Sequence, residues 1–553
     1  MSTKKENSAD LLVKCLENEG IKYIFGVPGE ENLDFLESIR TSSIKFIVTR
    51  NEQAAVFMAA TVGRLTGHVG VALSTLGPGA TNLVTGVAYA QLGGMPLLVI
   101  TGQKPIRKNK QGKFQIIDAV RVMEPLTKYA ATIESADRVP SMVREAIKLA
   151  EAERPGAVHL ELPEDIASEK IPENLKPIIF EKVRRPAPDP KDIEKALALI
   201  EKSKSPLIII GAGANRKLIR KQLLYFLEKT KIPFVTTQMG KGVENENSEL
   251  YIGTTALSSG DYVHKALMAS DTIIMLGHDT IEKPPIILTP DTHKVIHINF
   301  SSADIDDVYI PTYEIVGDVS HTLWALAEQI KIRKDWDFNY FFKMRDALKK
   351  NIETGSKNNN FPIIPARIVG DVYDVMPEDG VLALDNGMYK LWFARNYKAR
   401  EQNCVLLDNA LATMGAGLSS GIATKIIFPE KKVLVVAGDG GIMMNIAELE
   451  TAHRLNIDLT ILILNDSEFG MIRWKQANMA MPSFGLKFGN PDFIKLAESF
   501  GAKGYKINKV EELREVLKKA LSTKGINIID CPVDYSQSVQ DLGIGLQAEI
   551  NKI

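Results

Sequence analysis

The sequence lacks the features that define several classes of protein. It has only three cysteines, Cys15, Cys404 and Cys531, which are far apart and show no Cys-x-x-Cys spacing. They support neither a disulfide framework nor a zinc site, so we expect buried free thiols in a reducing compartment. No run of about 18 apolar residues is present to span a bilayer, and the basic N-terminus has no apolar signal core. A cytoplasmic protein is therefore expected.

An excess of charge of one sign is also missing. The chain has 67 Lys and Arg residues against 68 Asp and Glu residues, and a formal net charge of -1. Nucleic acid is an unexpected partner for such a chain, as is a membrane surface. With 45% apolar and 24% charged residues in 553, the composition is that of a globular protein with three or four domains.

Short apolar runs alternate with longer helical patterns along almost the whole chain. Such alternation predicts parallel βαβ units, and hence an α/β protein with doubly wound parallel sheets. The predicted strands are KYIFGV, KFIVTR, VGVALST, PLLVITG and AVHLELP in a first block, PLIIIGAG, PFVTTQM, TIIMLGH and KVIHINF in a second, and VLVVA and DLTILILND in a third. Segments rich in Pro, charge or Asn separate the blocks, at Ser168–Asp192 and from Asp337 to about Ile364. We predict three domains, 1–172, 191–335 and 360–553.

The stretch from Val433 to Asp466 suggests a ligand site. The strand VLVVA ends in the turn Gly438-Asp439-Gly440-Gly441, and an amphipathic helix then leads to a second strand that ends at Asn465. In a parallel sheet both strand ends lie at one edge, where glycine allows close approach of phosphate. An Asp carboxylate and an Asn carbonyl there are hard oxygen ligands suited to Mg²⁺. Taken singly, the turn and the Asn are more often ordinary loop features.

The spacing from Gly438-Asp439-Gly440 to Asn465 resembles the signature of thiamine-diphosphate enzymes, and the chain resembles their acetolactate synthase group. The resemblance implies that Asp439, Asn465 and the carbonyl of Ser467 hold Mg²⁺. It also implies that 1–172 binds the aminopyrimidine of the cofactor, that 191–335 is a central domain, and that 360–553 binds the diphosphate.

A second motif matches the same family. Glu52 follows a short apolar strand in RNEQAA, which resembles the segment with the family's active glutamate. The resemblance implies that Glu52 hydrogen-bonds N1′ of the aminopyrimidine and so promotes loss of the C2 proton of the thiazolium ring. Without the family match, Glu52 is a first-turn residue that complements the helix dipole.

Further segments extend the resemblance over nearly the full chain. LDNALATMGAGL resembles the segment whose large apolar side chain forces the cofactor into its V shape, and LDNGMYKLWFARNY resembles a loop on the diphosphate side. A Met at that spacing otherwise indicates ordinary core. Family members often have His at the position of Tyr389. The implied cofactor contacts, besides Glu52 and Asn465, are Gly387, Met388, Tyr389, Ala412, Met414, Gly438, Gly440, Gly441, Gly470 and Met471.

The reaction implied by the resemblance is decarboxylation of pyruvate and ligation of the resulting enamine to a second 2-oxo acid, giving 2-acetolactate and CO₂. GKFQIIDAV favours ligation, because it resembles the segment that lines the family pocket with Phe114 and Gln115; a packed entry turn is the alternative. Ile274–Leu288 lacks the pattern of the flavin-containing enzymes, so thiamine diphosphate and Mg²⁺ are the expected cofactors, without flavin. Lys475 stands where biosynthetic relatives have Trp, and could contact a carboxylate or lie on a solvated helix face.

Two other hypotheses remain open from the sequence. One is a decarboxylase or carboligase acting on a different 2-oxo acid or acceptor, and the other is a family member kept as a scaffold, against which the intact Glu52, Asp439 and Asn465 argue. In the family a complete site usually forms where two subunits meet, so a homodimer or homotetramer is expected.

Overall fold

The computed structural model describes residues 6–107, 112–172, 174–179, 185–215, 219–282, 288, 292–304 and 308–552. They form three sheets, each with six parallel strands and flanking helices. This confirms the predicted α/β class with three parallel-sheet blocks, while the limits 1–172, 191–335 and 360–553 stay a prediction. None of the helices over the described ranges is long and apolar enough to cross a membrane.

The first sheet is built from the N-terminal block. Its strands are β1 (Tyr23–Gly26), β2 (Lys45–Val48), β3 (Gly70–Ser74), β4 (Leu97–Gln103), β5 (Tyr129–Thr132) and β6 (Ala157–Pro163). They pair in the order β2-β1-β3-β4-β6-β5. Its helices are Ser8–Asn18, Leu33–Arg40, Glu52–Thr66, Pro78–Asn82, Val84–Gly93, Ala119–Met123, Val139–Glu151 and Glu164–Ala167, with single turns at Glu30–Asn32, Glu124–Leu126 and Ala136–Arg138.

The second sheet follows in the middle of the chain. Its strands are β7 (Pro206–Ile210), β8 (Phe234–Thr236), β9 (Tyr251–Thr254), β10 (Thr272–Leu276), β11 (Lys294–Asn299) and β12 (Tyr313–Val316). They pair in the order β12-β11-β10-β7-β8-β9. Its helices are Pro190–Lys202, Ala212–Asn215, Arg220–Thr230, Tyr262–Ala269 and Val319–Gln329. The first of these begins inside the segment Ser168–Asp192 that was predicted to be a linker, parts of which (173 and 180–184) lie outside the described residues.

The third sheet is C-terminal. Its strands are β13 (Val381–Leu384), β14 (Val405–Leu406), β15 (Val433–Gly438), β16 (Leu459–Asn465), β17 (Lys503–Lys506) and β18 (Ile526–Pro532). They pair in the order β14-β13-β15-β16-β18-β17. Its helices are Pro365–Val375, Met388–Asn396, Ala416–Ile427, Asp439–Ile442, Glu448–Arg454, Gly470–Asn478, Phe493–Ser499, Glu512–Ser522, Gln540–Ile544 and Gly545–Ile550.

The segment from Asp337 to Ile364, predicted to separate two blocks, contains the helix Asn339–Ser356. Its buried residues Phe341, Met344 and Leu348 are spaced as one face of an α-helix and join the apolar core shared by the second and third sheets. The sequence analysis named no helix in this segment, because charge and Asn on the solvent face masked this short apolar stripe.

The chain divides into two compact units. The first contains the first sheet together with Ile422–Ile427 and Asn445–Leu455, and the second contains the second and third sheets. Cys15, Cys404 and Cys531 are buried free thiols, as predicted, and burial raises the pKa of Cys15 to about 12.

Within the second unit, buried ion pairs accompany the shared apolar core. The Lys241 ammonium lies 2.6 Å from Glu246 Oε2, and both side chains are at most 1% exposed. The backbone N–H of Ala399 donates to the same carboxylate oxygen at 2.8 Å. Arg395, which lies in the third block, pairs with Asp261 of the second at 2.7 Å.

The Lys241→Met variant is expected to lower the free energy of unfolding by about 3 kcal/mol, because the buried Glu246 side chain would lose its ion-pair partner. Thermal unfolding measures the loss as a lower Tm. Lys195→Met is the matched control, since its ammonium pairs with Asp192 at an exposed site, where solvent screens the interaction. Equal Tm values for the two variants would contradict the expectation that loss of the buried Lys241–Glu246 pair lowers the stability more than loss of the exposed pair.

Candidate functional site

The site begins with the register of two neighbouring strands. β15 and β16 are parallel, with Gly438 opposite Leu464, so the next residues, Asp439 and Asn465, leave the sheet side by side. The strand order reverses between β13 and β15, because the chain continues from β13 to β14 on one side and from β15 to β16 on the other. Such a switch point opens a crevice at the carboxyl ends of the strands. The predicted proximity of Asp439 and Asn465 is what the fold produces.

Three oxygen atoms converge on one amide nitrogen at this edge. Nδ2 of Asn490 lies 2.7 Å from Asp439 Oδ2, 3.0 Å from Asn465 Oδ1 and 3.2 Å from Ser467 Oγ. The amide group is the donor in all three contacts. It occupies the point at which a cation would meet the same oxygens.

Neighbouring groups hold these oxygens in place. Asn465 donates from Nδ2 to Asp530 Oδ1 at 2.9 Å, which turns its Oδ1 toward Asn490. Asp439 accepts the N–H of Ser467 at 2.6 Å and that of Gly440 at 2.9 Å. The carbonyl of Ser467, predicted as a metal ligand, accepts the N–H of Phe488 at 3.2 Å. The Ser467 atom that contacts the Asn490 amide is instead the hydroxyl oxygen.

Negative charge accumulates at the same place. Burial raises the pKa of Asp439, although the Asn490 amide and the surrounding N–H groups oppose the shift. Burial and the neighbouring carboxylates raise the pKa of Asp466 to about 7, and its Oδ2 has no hydrogen-bond partner within the described ranges. Carboxylates in this state are stabilised by a nearby cation. No cluster of three or more His, Cys, Asp or Glu side chains placed for a metal occurs in the described part of the chain, so a cation here would depend on amide and hydroxyl oxygens as well.

A cleft with a volume of about 220 Å³ opens beside these residues. It is lined by Asp439 and by ten of the residues predicted to contact a cofactor, namely Gly387, Met388, Tyr389, Ala412, Met414, Gly438, Gly440, Gly441, Gly470 and Met471. The sequence did not single out other residues of its wall, among them Lys390, Glu468, Phe469 and Tyr535.

Glycine is required at one point of the turn. A Cβ on Gly441 would lie 2.3 Å from Asp385 Oδ2. Asp385 is buried and cannot withdraw freely, because it accepts the N–H of Gly415 at 2.9 Å. A Cβ on Gly440 would meet the rings of Phe469 and Phe488 at 3.0 Å. Gly440 and Gly441 therefore leave the space beside Asp439 free of further side chains of the turn.

Tyr389 places a polar group on the cleft wall. The side chain is 2% exposed, and its hydroxyl oxygen is left without a hydrogen-bond partner among the described residues. Burial raises the pKa of Tyr389 well above its usual value, so the hydroxyl keeps its proton. A buried donor without an acceptor is costly unless a ligand supplies one.

The helix Gly470–Asn478 borders the cleft and has no buried residue. Ile472 lines the cleft and is 50% exposed. Lys475 is exposed, with its ammonium 4.8 Å from the centre of the Trp474 ring. Contact of Lys475 with a carboxylate stays a prediction.

The remaining predicted residues lie in the first unit. Glu52 is the first residue of the helix Glu52–Thr66, whose N-cap is Asn51, and its side chain is buried. Its Oε2 accepts Nδ2 of Asn82 at 2.9 Å, which leaves Oε1 beside Gly79. Phe114 is 65% exposed and Gln115 has a left-handed backbone with φ 56°. The carbonyl of Gln115 packs on Gly77, three residues after β3.

Comparison with protein families gives three matches. Residues 6–122 match "Thiamine pyrophosphate enzyme, N-terminal TPP binding domain", residues 193–326 match "Thiamine pyrophosphate enzyme, central domain", and residues 385–531 match "Thiamine pyrophosphate enzyme, C-terminal TPP binding domain". Each match contains most of one six-stranded sheet.

Individual relatives are similar over nearly the full length. The "Probable acetolactate synthase large subunit" of Methanococcus aeolicus is 32% identical, covering 96% of this chain and 93% of that protein. "Acetolactate synthase" of Bacillus subtilis is 30% identical, covering 97% and 95%. "Acetolactate synthase, catabolic" of Raoultella terrigena is 31% identical, covering 96% and 95%.

The Gly441→Ala variant is expected to lose about 1–3 kcal/mol of stability, because its Cβ cannot fit beside Asp385 without moving the turn. Thermal unfolding checks this as a lower Tm. Gly489→Ala is the matched control, since nothing lies within 4 Å of an added Cβ there. An unchanged Tm for Gly441→Ala would show that the turn has room for a side chain.

Proposed function

The chain belongs to the thiamine pyrophosphate enzyme family, and from this membership we propose that it decarboxylates pyruvate and joins the remaining two-carbon fragment to a second 2-oxo acid. With pyruvate as acceptor, two pyruvate anions and one proton give one 2-acetolactate anion and CO₂. The observation that carries the proposal is that relatives named acetolactate synthase align with 96–97% of the chain.

The proposed cofactors are thiamine diphosphate and Mg²⁺. The fit of the metal is supported by the oxygens of Asp439, Asn465 and Ser467, which already converge on the Asn490 amide. Asn490 would turn away when the ion binds. The glycines of the turn and the hydroxyl of Tyr389 suit a diphosphate, which needs close approach and donors. Met414 and Ala412 on the same wall suit the thiazolium and the aminopyrimidine amine.

When bound, thiamine diphosphate supplies an acidic carbon that attacks the keto carbon of the substrate and a cationic ring that accepts the electron pair released with CO₂. Glu52 would hold a proton between its carboxyl group and N1′ of the aminopyrimidine. Asn82 fixes one oxygen of Glu52, and this leaves the other for the cofactor. The carboxyl group is buried, so water does not compete for that hydrogen bond.

Substrate contacts would come from Phe114 and Gln115, whose side chains are exposed in the single chain. Assembly into a homodimer or homotetramer would cover them. Large apolar side chains near the cleft support such an assembly, including Met444 at 54% exposed, Met479 at 65% and Phe484 at 84%. The absence of a flavin stays a prediction, and residues 283–287 of the segment on which it depends lie outside the described residues.

Incubation of the purified protein with pyruvate, Mg²⁺ and thiamine diphosphate tests the function directly. Release of CO₂ with acetoin after acid treatment is the expected result, because 2-acetolactate loses its carboxyl group in acid. If acetaldehyde is the sole organic product, the protein decarboxylates pyruvate without ligation, and the proposed ligation is wrong. No reaction with a panel of 2-oxo acids would overturn the proposal. Light scattering on the same sample measures the expected dimer or tetramer.

The Glu52→Gln variant should bind thiamine diphosphate with nearly unchanged affinity and lose turnover by about a hundredfold or more, because an amide cannot share the proton with N1′. Titration calorimetry and the acetoin assay measure the two effects. Glu145→Gln is the control, since this exposed glutamate pairs with Lys148 on the surface of the first unit. Normal turnover of Glu52→Gln would remove the proton role.

The Asp439→Asn variant should weaken cofactor binding only when Mg²⁺ is present, because it removes the charged ligand of the proposed ion. The affinity for thiamine diphosphate is measured by calorimetry with Mg²⁺ and with EDTA. Wild-type protein should lose affinity in EDTA, and the variant should resemble that state in both buffers. Asp379→Asn, an exposed change in the same block, should behave as wild type. A full Mg²⁺ effect in Asp439→Asn would place the ion elsewhere.

A further inference from the structure

A buried carboxylate outside the cleft contacts the loop that leads to Glu52. Glu448 is 0% exposed and begins the helix Glu448–Arg454. Its Oε1 accepts the backbone N–H of Arg50 at 2.9 Å and that of Asn51 at 3.1 Å. Its Oε2 accepts the hydroxyl of Thr451 at 2.6 Å. All of these groups belong to the first compact unit.

The loop held by Glu448 is short. β2 ends at Val48, Asn51 is the N-cap of the next helix, and Glu52 is its first residue. Arg454, on the same helix as Glu448, donates from Nη2 to the carbonyl of Val48 at 2.6 Å. The helix Glu448–Arg454 therefore contacts the last residue of β2 and the two residues directly before Glu52.

The contacts of Glu448 are strong enough to fix the backbone. Burial raises the pKa of Glu448, and the hydrogen bonds from Thr451, Arg50 and Asn51 oppose that shift. Hydrogen bonds from N–H groups to a carboxylate are stronger than those between neutral groups. Without the Glu448 side chain, two backbone N–H groups would lose their acceptor.

We propose that Glu448 is a positioning residue for Glu52, and that it sets the carboxyl group at the distance from N1′ of the cofactor that proton sharing requires. The inference rests on the proposed function. Displacement of a reacting group by about 1 Å can cost about a hundredfold in rate. Thiamine diphosphate would still bind, because the cleft residues and the metal oxygens are unaffected by Glu448.

The Glu448→Ala variant should loosen the loop and misplace Glu52, whereas Glu448→Gln keeps an oxygen for both N–H groups and should retain most of the function. Glu448→Asp keeps the charge but is one methylene shorter, so it should fall between the two. His453→Ala is the control, because this residue is exposed on the same helix and its side chain makes no hydrogen bond within the described ranges.

Two measurements separate positioning from a general loss of stability. In the cofactor-free protein, amide hydrogen exchange at Arg50 and Asn51 should become about tenfold faster or more in Glu448→Ala. In the loaded protein, exchange of the C2 proton of thiamine diphosphate, counted per bound cofactor, should become about tenfold slower or more. A merely structural role would lower the Tm and the bound fraction but leave the C2 exchange rate per bound cofactor at the wild-type value.

Wild-type C2 exchange in both Glu448→Ala and Glu448→Asp would overturn the inference while leaving the proposed function intact. If Glu448→Ala does not fold, Glu448→Asp decides alone. Failure of the wild-type protein to accelerate C2 exchange over free thiamine diphosphate would instead count against the proposed function.

Discussion

The parallel register of β15 and β16 is the constraint on which the candidate site depends. With Gly438 opposite Leu464, the residues that follow leave the sheet next to each other, and no other pairing of these strands would bring Asp439 to Asn465. The next strand, β18, contributes Asp530, which fixes the amide of Asn465. Three adjacent strands therefore orient the oxygens that converge on Asn490. Parallel sheets place all such ends at one edge.

This arrangement buries several carboxyl groups close together, which is electrostatically unfavourable. Asp439 and Asp466 both have raised pKa values because burial disfavours their charge, and Glu468 lies beside them in the cleft wall. The Asn490 amide offers only a partial positive charge to the same oxygens. A divalent ion would supply the missing charge, and it would in turn attract a diphosphate. The proposed metal would thus stabilise the acids that hold it and would also balance the charge of the diphosphate.

Much of the fold and of the site could be predicted from local sequence. The predicted strands have continuous apolar runs. The turn Gly438–Gly441 and the Asn at the end of β16 are residue types that indicate a phosphate and metal site in the sequence itself. The predicted strands did not include β5, β9, β12, β14 and β17, which lie at sheet edges and are short, nor the interior strands β13 and β18. Asn490, Asp530 and Glu448 were missed for another reason. Each acts through a contact with a distant part of the chain, and an isolated Asn, Asp or Glu carries no motif.

The crossover from β15 to β16 connects the two halves of the proposed chemistry. Its two ends, Asp439 and Asn465, are the proposed metal ligands in the second unit, whereas its middle segment, Asn445–Leu455, belongs to the first unit. That middle segment presents Glu448 and Arg454 to the loop before Glu52. The length and helical phase of this connection are therefore constrained twice, once by the register of the sheet and once by the position of the glutamate. An insertion here would disturb both, and it would also change the spacing from Asp439 to Asn465 that resembles the family signature.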